Sequence, residues 1–263
     1  MKHARLAFAA AVILCAVRAP AQMANSQQLA PTGSLRVTFL KDNAAQGRID
    51  PKTGEVTGPV ADITKELAHR LGVPYQITPG AGVRAVLDSV KMHMADLGFL
   101  ANDPSRAAEV DFTQTYELAY NSYLVRADSP LQKVADGDRP GIRIAARKGD
   151  SGELYLSRTL KQAELSGIPG LDVAEAVKML AASEIDAFAT NRERLVAESA
   201  PFPNVRVLSD NFFAVPQALI VEKGDPARVA YLNRFIDSLR SSGFLQGAID
   251  RAHLHGVEVA PSR

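Results

Sequence analysis

The segment Ala95-Asp96-Leu97-Gly98-Phe99-Leu100-Ala101-Asn102-Asp103-Pro104-Ser105-Arg106 is the part of the chain best equipped for chemistry. It reads as a short buried strand, a polar loop and one helical turn carrying an arginine, closing on Val110-Asp111-Phe112-Thr113. A guanidinium just past the carboxyl end of a strand suits a bidentate grip on a carboxylate, because its fork of N–H donors matches the two oxygens. A second segment of the same design recurs at Ile185-Asp186-Ala187-Phe188-Ala189-Thr190-Asn191. Standing alone, Arg106 would be a solvated surface arginine on an ordinary α/β domain. The recurrence points instead to two similar units facing each other across a small polar ligand.

Those residues need a scaffold, and the periodicity around them describes one. Leu35-Arg36-Val37-Thr38-Phe39-Leu40 reads as a strand and Asp50-Pro51-Lys52-Thr53-Gly54 as a turn. Val60 to Leu71 puts Ile63, Leu67, Ala68 and Leu71 on one helical face and stops at Gly72. Tyr75 to Thr78 is strand-like, Val83, Val86, Leu87 and Val90 mark a second helix, and Ala95 to Leu100 a third strand. The pattern then restarts with a strand at Gly141 to Ala146 and a helix at Ser151 to Ala163, where Asp150 and Glu153 have capping-box spacing. Val173, Val177 and Leu180 mark a helix, Ile185 to Thr190 a strand and Asn191 to Ser199 a further helix. Strands at Val205 to Leu208 and Ala218 to Glu222 precede Asp225-Pro226, a helix start with Pro at the first helical position. Repeated β-α-β predicts an α/β chain of two lobes, each a parallel sheet with covering helices. Tyr120 to Val125 and Phe213 to Ala218 are the expected crossings, giving a first lobe of 34–120 plus 215–263 and a second of 121–214.

Composition is that of a globular protein able to bury a core: 263 residues, 46% hydrophobic and 22% charged. Residues 1–21 read as an export signal rather than as fold. Lys2, His3 and Arg5 precede an uninterrupted apolar run from Leu6 to Val17, and Ala19-Pro20-Ala21 offers a small-x-small cleavage site. That run is too short for a comfortable membrane span. Three of the 30 Lys and Arg residues fall in this leader, which leaves 27 against 29 Asp and Glu, a net charge near −2. Such a balance gives no support to nucleic-acid binding or to attachment at an anionic membrane. Cys15, the only cysteine, also lies in the leader, so a mature chain without disulfides is expected in the periplasm.

In open α/β sheets, ligands bind outside the carboxyl ends of the strands. That rule nominates Lys41-Asp42-Asn43, Ala101-Asn102-Asp103 with Arg106, Lys148-Gly149-Asp150-Ser151-Gly152, and Asn191-Arg192. The Gly149 to Gly152 stretch opens a helix, so its backbone N–H groups suit an anion. A hydrogen bond to a charged group contributes roughly 1.5–3 kcal/mol, enough to make Arg106 an anchor.

The order of these elements, with Gly58-Pro59-Val60-Ala61-Asp62-Ile63, Leu71-Gly72, Ala95-Asp96, Pro104-Ser105-Arg106 and Val110-Asp111-Phe112-Thr113, resembles the family-3 bacterial solute-binding proteins. These are the polar amino-acid type that feed ABC importers. Lys148-Gly149-Asp150-Ser151, Ile185-Asp186-Ala187 and Glu222-Lys223-Gly224-Asp225-Pro226 match further landmarks in order, so the resemblance covers essentially all of the mature chain. It implies a type II periplasmic binding protein, two α/β lobes joined by two crossing strands. It also implies a small-molecule carboxylate ligand, a membrane permease as partner, a monomer, and neither cofactor nor metal.

Carried over residue by residue, Arg106 falls on the family's arginine for the ligand α-carboxylate, and Ser151 in the second-lobe loop that also holds it. Asn191 falls where amino-acid binders place an aspartate for the ligand ammonium, and a neutral amide cannot give that charge-assisted contact. Ala101 replaces a hydroxyl residue, and Asn43-Ala44-Ala45-Gln46 stands where many relatives have a stacking aromatic. The expected ligand-binding residues are Arg106, Ser151, Asp150, Asn191, Asp103, Asn102 and Asp42. Two ligand classes stay open: an organic acid, or an amino acid whose ammonium is met by Asp42 or Asp103.

A cyclohexadienyl-dehydratase-like enzyme of the same fold is one alternative. It would need a general acid in the cleft, and Val215-Pro216-Gln217-Ala218 stands where the resemblance places a Glu-Lys pair. Gly149-Asp150-Ser151-Gly152 looks like a serine-protease nucleophile segment, yet neither His69 nor His93 has a triad context. Met92-His93-Met94 and His253-x-His255 offer soft metal ligands only at a helix end and near the C-terminus. A periplasmic sensor that presents its closed form to a separate membrane receptor would share the fold and the cleft. The reading carried forward is a non-enzymatic substrate-binding component of an ABC importer, closing by hinge motion on its solute.

Overall fold

The computed structural model describes residues 27–262; the expected export signal and Cys15 lie outside the described residues. Strand β1 (Leu35–Leu40) is followed by a short antiparallel pair, β2 (Arg48–Ile49) and β3 (Val56–Thr57). Next come β4 (Tyr75–Gly80) and β5 (Leu97–Ala101), which flank β1 and run parallel to it. The same arrangement returns with β7 (Arg143–Arg147) between β8 (Glu164–Ile168) and β9 (Ala187–Asn191), again all parallel. Two long antiparallel strands tie these units together: β6 (Val110–Arg126) and β11 (Phe213–Glu222). β11 pairs with β5 and β6 pairs with β9, so the path across the sheet is β4-β1-β5-β11-β6-β9-β7-β8. Two short strands, β10 (Val205–Val207) and β12 (Val257–Val259), add to β6. These are two α/β lobes joined by two crossing strands.

The repeat is chemical as well as topological. Arg36 at the start of β1 donates its backbone N–H and its guanidinium to Asp96 just before β5, at 2.8 and 2.6 Å. Arg143 at the start of β7 does the same with Asp186 before β9, at 2.9 and 3.1 Å. Each clamp ties the start of the central strand of its lobe to the start of the strand beside the crossing strands, which explains why Ala95-Asp96 and Ile185-Asp186 look alike in sequence. His93 and Ser183, one turn upstream, both adopt the left-handed conformation, with φ of 56° and 55°. His93 thus occupies a helix-end position, with Nδ1 3.4 Å from Glu222. Apolar side chains sort in the same way. Val37, Phe39 and Phe99 pack with Ile63, Leu67, Leu71 and Phe235, while Leu124 and Phe188 pack with Val177, Leu180 and Leu195.

Two expectations need correcting. The helix expected to reach Ala163 ends at Thr159, and Glu164–Ile168 forms the edge strand β8. An edge strand exposed on both faces needs no alternation, so it leaves no period-2 signal. The capping box at Asp150 does not form: Asp150 holds the N-cap position without a capping hydrogen bond, and Glu153 Oε2 accepts instead from the N–H of Gly149, the residue before the cap, at 3.1 Å. Asp150 is left facing the space between the lobes.

Candidate functional site

Where the carboxyl ends of the two parallel sheets face each other lies a narrow cleft of about 50 Å³. From the first lobe, β5 delivers the chain to a single helical turn, Pro104–Ala107. Asp103 caps it, accepting from the backbone N–H and hydroxyl of Ser105 at 2.9 and 2.6 Å, and Pro104 supplies the preset first position. The turn projects Arg106 back over the strand end, 5% exposed. Its guanidinium donates to Ala101 O at 2.9 Å and, across the cleft, to Gly149 O at 3.0 Å. Both partners are carbonyls; among the described residues no carboxylate pairs with it. Burial pulls its pKa down, and the charges of Asp103 and Asp150 oppose that pull.

The second lobe answers with two helix starts. Gly149 takes φ of +81°, which lets the chain turn from β7 into the helix Ser151–Thr159. Burial pushes the Asp150 carboxyl up, against the pull of Arg147, Arg194 and Arg106. Asn191 ends β9 and caps the helix Arg192–Ser199, its Oδ1 accepting from Arg194 N–H at 3.2 Å. The oxygen is thereby committed, and the amide Nδ2 is the group that remains for a ligand. Arg194, 7% exposed, reaches back over its own helix start to Asp42 at 3.5 Å and Asp150 at 4.0 Å.

Of the residues expected from sequence, Asp42, Arg106, Asp150, Ser151 and Asn191 line this cleft. Asn102 and Asp103 are not part of the lining. Asp103 is spent on its cap and on Arg158 of the other lobe, at 3.0 Å, so it is not placed to meet an ammonium. Asp42 is placed in the cleft but bridges the lobes, accepting from Arg147 at 3.2 Å while facing Arg194. Sequence reading missed Arg147 and Arg194. Arg194 had a signal: a side chain at the third helical position leans toward the N-terminus, and this N-terminus opens on the cleft.

The floor is made by the crossing strands. Asn121 and Gln217 line it, with Gln46 donating its Nε2 to Gln217 Oε1 at 2.8 Å. Gln46 Oε1 and Asn121 Oδ1 are buried without a partner. Glu117, in register with Gln217, is fully buried behind this floor. Burial pushes its carboxyl up to about 8, against the pull of the neighbouring Tyr116 hydroxyl. Among the described residues, no three His, Cys, Asp or Glu side chains gather as a metal site, and no helix is long and apolar enough to cross a membrane.

The profile of the bacterial extracellular solute-binding proteins, family 3, matches residues 35–253. A glutamine-binding protein of Geobacillus stearothermophilus is 28% identical over 201 residues, covering 73% of this chain and 74% of that protein. A membrane-bound lytic murein transglycosylase F of Pseudomonas savastanoi pv. phaseolicola is 25% identical over 230 residues. That match spans 85% of this chain but only 46% of the transglycosylase. Among solved structures, a putative binding component of an ABC transporter from Wolinella succinogenes, complexed with lysine, superposes with a TM-score of 0.71. It is 23% identical, and the match covers 85% of this chain and 97% of that one, which establishes the likeness of fold.

Proposed function

The chain belongs to the bacterial extracellular solute-binding proteins, family 3, and from that premise we propose that it is the substrate-binding component of an ABC importer for a small carboxylate-bearing solute, an amino acid. The observation that carries this reading is Arg106: a buried guanidinium at the meeting of two strand ends whose protein partners are carbonyl oxygens alone. A carboxylate from solution is the partner its charge still lacks. The backbone N–H groups at the start of the helix Ser151–Thr159 supply the opposing half of the grip. We place the division of the lobes at residues 121 and 214, within the crossing strands, and the mature protein in the periplasm, a monomer that docks to a membrane permease.

A dehydratase-like reading would need a proton donor facing the ligand. Asp42 is tied to Arg147, Asp150 is pushed up by burial but faces Arg147, Arg194 and Arg106, whose charges favour its carboxylate, and Glu117, also pushed up, lies behind Gln217 rather than in the lining. The cleft therefore favours binding over chemistry.

Thermal unfolding of the mature protein against the common amino acids and matched plain carboxylates tests the proposal. A ligand at about a hundred times its Kd adds roughly 2.7 kcal/mol, a shift of several degrees. No shift with any carboxylate-bearing compound would contradict it. The interlobe contacts make a second expectation. Asp42→Asn removes the charge that Arg147 and Arg194 face across the cleft, so the ligand-free closed form should be less populated. Apparent affinity should fall roughly three- to tenfold in proportion to that population. Calorimetric titration checks it, and unchanged affinity would show that this bridge does not hold the lobes together.

A further inference from the structure

Asn121 sits on β6, is 2% exposed, and lines the cleft, yet its Oδ1 has no hydrogen-bond partner. An acceptor buried without a donor costs on the order of 1–3 kcal/mol, so such an atom calls for an explanation. The surrounding packing shows that the position is built. A Cβ on Gly152 would come within 2.8 Å of Asn121 Nδ2, so the absence of a side chain at Gly152 is what admits the amide. With its nitrogen side against the start of the helix Ser151–Thr159, the oxygen is the end left without a partner. Asn121 is also in register with Asn191, whose own oxygen is taken by Arg194 N–H.

From this juxtaposition we propose that Asn121 Oδ1 accepts a hydrogen bond from the ammonium of an α-amino acid, making Asn121 a specificity residue for amino acids over plain carboxylic acids. The inference rests on the proposed binding of a carboxylate at Arg106. Gly152 belongs to the same helix start that opposes Arg106, so Asn121 lies beside the carboxylate position. A donor that reaches it must sit close to the ligand's carboxylate, and an α-ammonium is that donor. A neutral amide accepts from the ammonium without supplying an opposite charge, and Asp150 lines the same cleft.

The test compares ligand pairs that differ only in the α-ammonium: L-lysine with 6-aminohexanoate, L-arginine with 5-guanidinopentanoate, and L-glutamine with 4-carbamoylbutanoate. Each is titrated calorimetrically into wild type, Asn121→Leu and Asn121→Asp. For the amino acid that binds wild type, Asn121→Leu should weaken binding about tenfold to a hundredfold. Its deaminated partner should change by less than threefold. Asn121→Asp, which keeps the shape, should bind the amino acid at least as tightly and the deaminated acid more weakly; it also decides the matter if the leucine variant does not fold. Equal losses for both members of a pair, or none, would overturn the role of Asn121 while leaving the Arg106 reading intact. If only the deaminated acids bind wild type, the role of Asn121 fails and the carboxylate grip of Arg106 stands; if neither member of any pair binds, both fail together.

Discussion

Arg106→Ala is expected to weaken ligand binding by roughly 2–5 kcal/mol, a thirtyfold to several-thousandfold rise in Kd. The magnitude follows from burial. At 5% exposure the guanidinium is already stripped of water, so its partner gains a charge-assisted bond in a low-dielectric setting and leaves nothing equivalent behind when the side chain is cut. The loss also frees Ala101 O and Gly149 O, one on each side of the cleft, and so removes a bridge between the lobes. Arg106→Lys should recover only part of the affinity, because an ammonium cannot span two carbonyls and grip a carboxylate in the same plane. Calorimetric titration with the best amino acid found by thermal shift measures both. Affinity within threefold of wild type in the alanine variant would remove Arg106 from the site.

The second large effect concerns stability rather than binding. Glu117 titrates near 8 in the folded protein against an ordinary 4.5, because its carboxyl is buried. Unfolded chains release that proton above pH 4.5, while the folded protein keeps it until pH 8. The unfolded state therefore holds fewer protons throughout this window, and stability should fall as pH rises across it, then level off above pH 8. Below pH 4.5 both states are protonated and the cost is absent. At pH 7 the cost is on the order of 3 kcal/mol. Glu117→Gln carries no titrating group and should be more stable at pH 7, with a flatter dependence of Tm on pH between 5 and 8. Asp103 and Asp186, both held below the usual carboxylate range once their hydrogen bonds and arginine partners outweigh burial, act in the acid range, and Asp150, also pushed up by burial, is common to both proteins and cancels between variant and wild type. Parallel pH profiles for variant and wild type would contradict the assignment.

What the sequence revealed and what it hid divide along physical lines. Elements whose signals are local were legible: the helical turn carrying Arg106, the helix beginning at Asn191, and the amphipathic face of Val60 to Leu71. The long strand β6 was seen only as Tyr120 to Val125. Gln114, Glu117 and Asn121 are buried polar residues that break the apolar pattern as exposed ones would. The floor of the cleft was hidden for the same reason. Gln46, Asn121 and Gln217 come from three distant segments: the register of β6 with β11 brings the last two to one surface, and Gln46 reaches it from the loop after β1 through its bond to Gln217. Asp103 illustrates the opposite error. It adjoins the anchor in sequence, but a cap and a pairing with Arg158 turn it away from the cleft.

On the proposed function, the two lobes close on a carboxylate-bearing solute held by Arg106. Because Cys15 is the only cysteine, cysteines placed at exposed Lys52 and Lys161, one on each lobe, can be labelled cleanly in the mature protein for an interlobe distance measurement. Saturating amino acid should shift the population to a single shorter distance in the labelled protein, and the same concentration should leave it unshifted when Arg106→Ala is added. An interlobe distance that stays constant while calorimetry records the ligand bound would place the ligand elsewhere and contradict the account.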